Sequence, residues 1–309
     1  MYFELGVEHV AAVAGLFGLL IGSFANVVIH RVPRGQSVVS PPSRCPGCSS
    51  TITAWQNIPI LSWCLLRGRC ANCRHPISLR YPLVEVLHGL GFSGLVLHYG
   101  LAPFLPALMG LFSALCILAF IDWDHQILPD VITLPGIALG LLLTMAPGSL
   151  VTLQNALIAA VGGYLGFFAV AEGYSRLRGI EGLGMGDWKL AAMMGAFLGV
   201  HRLLLIVFLG SLSGLIFGLV QVLRQRLRLS EDGPLAPPPV LEPGAGSALP
   251  DSDGVEAQVT TVGTLSAAPG PEPIGKFRLP FGTFLAASAM FVLFCGDSIL
   301  AWYLGLSGF

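Results

Sequence analysis

The sequence predicts an all-α polytopic membrane protein with about eight transmembrane helices. Of its 309 residues, 54% are hydrophobic and only 11% are charged, and the mean hydropathy is +0.77. A soluble globular domain carries about a quarter charged residues, so the composition excludes a soluble globule. The apolar residues also occur in segments close to the length of about 20 residues that a helix needs to cross a bilayer.

The apolar segments follow one another along most of the chain. We expect the first to be a retained span and not a secretory signal, because acidic Glu4 and Glu8 precede it where a signal has basic residues. The sixth segment is short, and a polar loop separates the third from the fourth. The predicted spans cover residues 10–29, 83–99, 104–121, 131–147, 150–171, 189–200, 203–223 and 280–304.

The arginines predict the orientation of these spans. Residues 31–80 carry seven arginines and no acidic residue, and loops rich in Lys and Arg stay on the cytoplasmic side. If the N-terminus lies outside the cytoplasm and the chain crosses the membrane eight times, the other basic clusters lie on the cytoplasmic side and only Arg202 lies outside. The same topology brings residues 122–130 and 173–188 to the cytoplasmic face.

The composition divides the chain into four regions. Residues 1–30 contain the first span, and residues 31–82 form a cytoplasmic loop. Residues 83–230 together with 276–309 form the main membrane domain. Residues 231–275 are rich in Pro, Gly, Ala and Ser, with seven acidic residues and few large apolar groups, so they predict a disordered cytoplasmic insert.

Four cysteines in the cytoplasmic loop predict a structural zinc site. Cys45 and Cys48 form one Cys-x-x-Cys pair and Cys70 and Cys73 a second, with 21 residues between the pairs. Two such turns supply the closed tetrahedral sulfur set that structural zinc prefers, which leaves no position for a catalytic water. Two disulfides or a redox pair are alternatives, although disulfides are rare in a reducing compartment. Iron would fit the same four ligands.

Carboxylates at the ends of spans are candidate catalytic groups. Asp122 and Asp124 end the third span, and Asp187 follows the glycines of residues 182–186, which allow a close backbone approach to a substrate. In an aspartic peptidase one ionised carboxylate takes a proton from water while a protonated partner donates to the carbonyl oxygen. Helix capping and proton-coupled transport are alternatives for such acids.

Three other polar residues near the spans have structural explanations. Glu85 opens the second span and Asp297 lies in the last. We expect each to be a buried partner of an arginine or of backbone groups, since an unpaired charge at membrane depth is costly. His125 is expected to be an interfacial polar residue.

These motifs resemble those of the type IV prepilin peptidases, the bacterial leader peptidase and N-methyltransferase family of GxGD-type aspartic peptidases. The resemblance covers nearly the whole chain. Besides both cysteine pairs, it includes residues 18–29, 80–85, 122–129, 184–190 and 279–282. Presenilin-like proteases share a Gly-x-Gly-Asp element, but the cysteine loop favours the prepilin branch. The insert between Arg228 and Lys276 is longer than this family leads us to expect, and it leaves every motif intact.

The resemblance implies a function and its residues. Asp122 and Asp187 would be the catalytic pair, with Asp124 as the substitute for Asp122. The substrate would be a type IV prepilin or type II secretion pseudopilin, whose short basic leader is cut after Gly at the cytoplasmic face of the bacterial inner membrane. The new N-terminal residue, commonly Phe, would be methylated with S-adenosylmethionine. The residues that bind the methyl donor are unknown, and only the first cytoplasmic loop is suggested for them.

Other functions compete with this interpretation. A proton-coupled transporter would have polar residues through the midplane of several spans, whereas the acids here cluster mostly at one face. A noncatalytic assembly factor with a partner-binding zinc loop would tolerate loss of either aspartate. A peptidase without methyltransferase activity is a third alternative. The expected partners are a prepilin or pseudopilin and the lipid bilayer, with no nucleic acid.

Overall fold

The computed structural model describes residues 6–179, 184–231 and 279–307. This part of the chain is helical throughout its spans, and no β-strand occurs within it. Two 3-10 turns, Val32–Arg34 and Ala54–Asn57, lie in the first loop. The α-helices are α1 (Val7–Arg31), α2 (Leu61–Leu65), α3 (Arg80–Tyr99), α4 (Leu105–His125), α5 (Asp130–Leu143), α6 (Leu153–Arg178), α7 (Met185–Glu231) and α8 (Phe281–Ser307).

All eight predicted spans lie on these helices, and the predicted fold class is confirmed. Within the described ranges, five helices are long and apolar enough to cross a membrane: Val7–Arg34, Leu105–His125, Leu153–Arg178, Met185–Leu227 and Phe281–Tyr303. The sixth and seventh predicted spans share the fourth of these. The second lies on α3, which carries four charged or histidine side chains, and the fourth lies on the 14-residue α5. The five long helices therefore account for six of the eight predicted spans.

Small residues let α1 and α3 pack with their backbones in close contact. A Cβ atom at Gly18 would lie 2.4 Å from the His88 carbonyl oxygen, and one at Gly22 would lie 2.7 Å from the Cα atom of Glu85. The Ser93 hydroxyl donates to the Ala11 carbonyl at 2.8 Å. This pairing places the polar residues of α3 against α1, which explains how so polar a helix lies within the bundle.

The centre of the bundle is α4, which packs against α1, α3 and α8. Its buried face is rich in leucine, and buried residues of α8 include Leu285, Ala286, Ala289 and Leu293. At the far end the Tyr99 hydroxyl donates to the Leu293 carbonyl at 2.7 Å. Arg202 donates to both carboxylate oxygens of Asp297 at 2.7 Å. The expected arginine partner of Asp297 is therefore Arg202, but the expected burial is wrong, because the Asp297 side chain is 56% exposed.

A break at Gly199 divides α7. Gly199 has φ 76° and ψ −179°, a conformation that favours glycine. The N–H of Val200, which the break releases from the helical pattern, donates to the Asn155 side-chain oxygen at 3.0 Å. An unpaired backbone N–H inside the protein would be costly, so Asn155 stabilises the break.

The described residues divide into two units: residues 6–179, 184–215 and 279–307 form one, and the last section of α7, from Ile216 to Glu231, belongs to the other. Except for Glu231, the predicted insert of residues 231–275 lies outside the described residues. The predicted division into four regions stays a prediction.

Candidate active site

Asp122 and Asp187 are brought together at the ends of two helices. Asp122 lies in the last turn of α4, and Asp187 lies in the first turn of α7. Both are buried, with exposed fractions of 5% and 7%. Of the candidate acids, these two share one site, as their contacts with Gly282 show.

Gly282, in the first turn of α8, lies against both carboxyl groups. A Cβ atom at this position would lie 3.1 Å from Asp122 Oδ2 and 3.1 Å from Asp187 Oδ1. The two oxygens are therefore separated by no more than twice that distance. A side chain at residue 282 would occupy the space between the two carboxyl groups, so the approach of α8 depends on glycine.

Thr283 binds Asp122 through two donors. Its N–H donates to Asp122 Oδ2 at 2.7 Å, and its hydroxyl lies 3.0 Å from the same oxygen. The hydroxyl is also 3.0 Å from the Ala119 carbonyl, a second acceptor for its single proton. Hydrogen bonds to one oxygen of Asp122 hold the orientation of the whole carboxyl group and leave Oδ1 to other partners.

The glycine segment before Asp187 packs on Leu128. A Cβ atom at Gly186 would lie 2.8 Å from the Leu128 Cβ atom, and the Cδ1 atom of Leu128 also approaches Gly282. The N–H of Asp187 donates to the Gly184 carbonyl at 3.1 Å. Residues 182 and 183 of the predicted motif lie outside the described residues. Leu128 thus separates the two glycines and forms an apolar wall beside the carboxyl groups.

Two other described acids near this site, Asp124 and Asp130, form ion pairs. Asp124 forms a salt bridge with Arg80, whose guanidinium also lies over the Phe120 ring. Asp130 accepts two hydrogen bonds from the Lys189 ammonium, at 2.7 and 2.8 Å. Asp122 and Asp124 are about 200° apart around α4, so they face different neighbours. The structure therefore brings Asp122, and not Asp124, to Asp187.

The four cysteines of the first loop converge on one point. Their sulfur atoms all lie within 4.8 Å of one another, and Cys45 Sγ is 3.7 Å from Cys73 Sγ. Tetrahedral zinc with Zn–S bonds of about 2.3 Å places its sulfurs about 3.8 Å apart. The cluster therefore fits a tetrahedral metal ion. The cysteines are all unpaired in the described chain, which gives no support to the disulfide alternative.

The two cysteine turns share one backbone design. An isolated antiparallel bridge closes each of them, Arg44 with Thr51 and Arg69 with Pro76. Ser49 and Arg74, each four residues after the first cysteine of its turn, both have positive φ angles. The backbone N–H groups of Cys73 and Asn72 lower the pKa of the Cys70 thiol to about 6. Burial and the neighbouring cysteine side chains raise the pKa of the Cys73 thiol to about 11, so Cys70 is the thiol of this pair that ionises first, and a thiolate is the form that binds a metal.

The fold and these sites by themselves define the class of protein. It is a polytopic membrane protein with two buried, neighbouring carboxyl groups and a tetracysteine loop. Residues 16–99 match the bacterial peptidase A24 N-terminal domain, and residues 109–219 match the type IV leader peptidase family. The chain belongs to the type IV leader peptidase family. This is the family that the sequence motifs indicated.

Curated relatives share this assignment. A protein of Neisseria gonorrhoeae is 42% identical over 67% of this chain and 80% of its own length. Proteins of Aeromonas hydrophila and Pseudomonas aeruginosa are 35% and 34% identical over more than nine-tenths of both chains. All three are named prepilin leader peptidase/N-methyltransferase. These names do not favour the transporter alternative. No solved structure gives a significant match.

Sequence reasoning missed two residues of the carboxylate site. It noted residues 279–282 as a motif but gave Gly282 no role, and it stopped one residue before Thr283. The available signal was the position of this segment at the start of the last span, at the same predicted face as both aspartates. Recognising it required treating the first turn of α8 as a possible wall of the site.

Proposed function

We propose that this protein is an aspartic endopeptidase that removes the basic leader of a prepilin or pseudopilin and then N-methylates the new N-terminus. The observation that carries the proposal is the convergence of Asp122 and Asp187 on Gly282. The curated relatives support both activities by their names. The residues assigned to peptide cleavage are Asp122 and Asp187.

The contacts of Thr283 suggest how the two carboxyl groups divide the work. An oxygen that accepts hydrogen bonds is a poor position for a proton, so Asp122 is assigned as the ionised base and Asp187 as the acid. Asp122 takes a proton from water while the water oxygen bonds to the scissile carbonyl carbon. Asp187 gives its proton to the carbonyl oxygen, which forms a neutral gem-diol.

The second half of the reaction restores the pair. Asp122 passes its proton to the amide nitrogen as the C–N bond breaks. Asp187 takes a proton back from one hydroxyl of the gem-diol as the new carboxyl group forms. The sum is one water consumed for one peptide bond cut, with both aspartates returned to their starting states. Burial of the pair and the wall formed by Leu128 limit access of other water molecules to the site.

The metal and the methyl donor have separate places in this proposal. Cys45, Cys48, Cys70 and Cys73 would hold a structural zinc ion that stabilises the loop and takes no part in cleavage. S-adenosylmethionine would supply the methyl group, and its binding residues are not assigned. We keep residues 31–82 as the methyltransferase-associated region and residues 83–230 with 276–309 as the peptidase domain. The arginines of residues 31–80 support a cytoplasmic active face in the bacterial inner membrane.

The test is mass spectrometry of a prepilin-like peptide incubated with purified protein and S-adenosylmethionine. The peptide has a short basic leader ending in Gly, then Phe and an apolar helix. We expect the wild type to remove the leader and add one methyl group, and Asp122→Asn and Asp187→Asn each to leave the peptide uncut. Asp124→Asn is the matched control and should still cleave, because Asp124 pairs with Arg80. Cleavage by both dyad variants would refute the assignment of the pair.

A further inference from the structure

The short helix α2 presents an apolar face outward. Leu61, Cys64 and Leu65 lie on one side of this single turn and are exposed, and Leu65 is 74% exposed. The other side of the helix faces the loop: the Trp63 indole N–H donates to the Ile77 carbonyl at 3.2 Å. Trp55, in the neighbouring 3-10 turn, is exposed as well. Such a face is unfavourable in water.

A hydrogen bond ties the start of α2 to α3 near the predicted membrane surface. The N–H of Ile60, the residue before α2, donates to Glu85 Oε2 at 2.7 Å. Glu85 packs directly on Gly22 of α1, which is seven residues before Ile29, the last apolar residue of the predicted span. At 1.5 Å per residue, Gly22 is about 10 Å below the end of that apolar run. Since the Glu85 side chain and this hydrogen bond span part of that distance, the bond holds the start of α2 near the level at which α1 leaves the predicted apolar layer.

The residues that follow α2 are basic. Arg67 and Arg69 are exposed, and residues 31–80 contain no acidic residue that could neutralise them. An apolar face beside cationic side chains, at the height of the headgroups, is the pattern of an interfacial anchor on anionic lipid. A basic peptide leader would be repelled by these arginines, whereas lipid phosphates complement them.

We propose that α2 is an interfacial membrane anchor: Leu61, Cys64 and Leu65 insert at the boundary between acyl chains and headgroups, and Arg67 and Arg69 bind anionic lipid phosphates. The anchor fixes the height of the tetracysteine loop at the membrane surface. The proposal rests on the proposed placement of this loop at the cytoplasmic leaflet, which is rich in anionic lipid. It does not depend on which reaction the loop serves.

The test measures the depth of a spin label at Leu65→Cys in zinc-loaded, full-length protein carrying Cys64→Ser and Cys295→Ser. The protein is reconstituted in nanodiscs of phosphatidylcholine with phosphatidylglycerol. Depth is read from the relative accessibility of the label to oxygen, which concentrates in lipid, and to a water-soluble nickel chelate. Val39→Cys is the matched control, because Val39 is an 88% exposed apolar residue of the same loop with no link to Glu85. Leu61→Cys reports on the same face if the Leu65 variant does not fold.

We expect the oxygen-to-nickel ratio to be several-fold higher at residue 65 than at residue 39. In phosphatidylglycerol nanodiscs, Arg67→Gln with Arg69→Gln should lower that ratio toward the control. Equal ratios at the two positions would overturn the proposal. A label at residue 65 that becomes shielded from nickel only when a prepilin peptide is added would also overturn it and would make the face a substrate surface. Peptide cleavage by the same nanodiscs tests the proposed function separately.

Discussion

The tetracysteine loop and the carboxylate pair are held in different ways, although the loop ends at Arg80, which pairs with Asp124, two residues from Asp122. The loop relies on two local turns, isolated bridges and a five-residue helix. The pair relies on the ends of three long helices, and its central hydrogen bond joins residues 161 positions apart. One site can therefore be disrupted while the other persists, and the predictions below test that separation.

Gly282→Ala should have the largest effect, and only on cleavage. The added methyl group would lie 3.1 Å from both aspartate oxygens and 2.9 Å from Leu128 Cδ1, so the carboxyl groups must move apart. A displacement of about 1 Å can cost about a hundredfold in rate, and the carboxyl groups would here shift by less than that, so we expect cleavage to fall by tens of fold and by at most about a hundredfold. The measurement is the initial rate of leader removal, with bound zinc unchanged. Gly110→Ala, where a Cβ atom meets nothing within 4 Å, should cleave as the wild type does.

Cys48→Ser should affect the loop and leave cleavage largely intact. Loss of one thiolate opens the four-sulfur site, so we expect most of the bound metal to be lost and the loop to become sensitive to protease. Metal content by mass spectrometry and limited proteolysis measure these two effects. Cys64→Ser, which removes an exposed cysteine outside the cluster, is the control. Full metal retention by the Cys48 variant would contradict the tetracysteine assignment.

Thr283→Val should lower kcat for cleavage by about tenfold, because it removes a hydroxyl bonded to a charged group while keeping the N–H donor. KM should stay unchanged, since Thr283 acts through Asp122 and is not assigned a contact with the peptide. Thr283→Ser keeps the hydroxyl and should restore most of the rate. Thr144→Val removes a hydroxyl that donates to the Leu141 carbonyl outside the site and should have no effect on kcat. A change in KM alone would argue against a role in holding Asp122.

Arg202→Gln should have the smallest effect and should not distinguish the two regions. It removes a bidentate ion pair with Asp297 whose carboxylate is partly exposed, and such pairs contribute about 1 kcal/mol or less. We expect the midpoint of thermal unfolding to fall by a few degrees at most, with cleavage and metal content unchanged. A large loss of cleavage would show that the Arg202–Asp297 ion pair is coupled to the carboxylate site.

The sequence predicted the features whose signal is local. Hydropathy located every helical span, and the spacing of the four cysteines predicted a cluster whose sulfurs do meet. The residue pattern alone could not decide between Asp122 and Asp124, because only the packed neighbours determine which one is buried; the choice of Asp122 came from the family resemblance. The sequence separated residues 189–200 from residues 203–223 as two spans, and the break at Gly199 divides α7 between them. Thr283 was missed because its contact with Asp122 depends on how α4 and α8 pack.

The depth of the carboxylate pair has a consequence for substrate selection. Asp122 is three residues from the end of α4, Asp187 is the third residue of α7, and Gly282 is the second of α8. All three lie within about 5 Å of a helix end, or one turn. Under the proposed function, a substrate is anchored in the bilayer by its own apolar helix. Only the peptide bond at the level of these helix ends would then reach the two aspartates. The position of the cut would therefore be set by where the apolar helix of the substrate begins and not by the length of its leader.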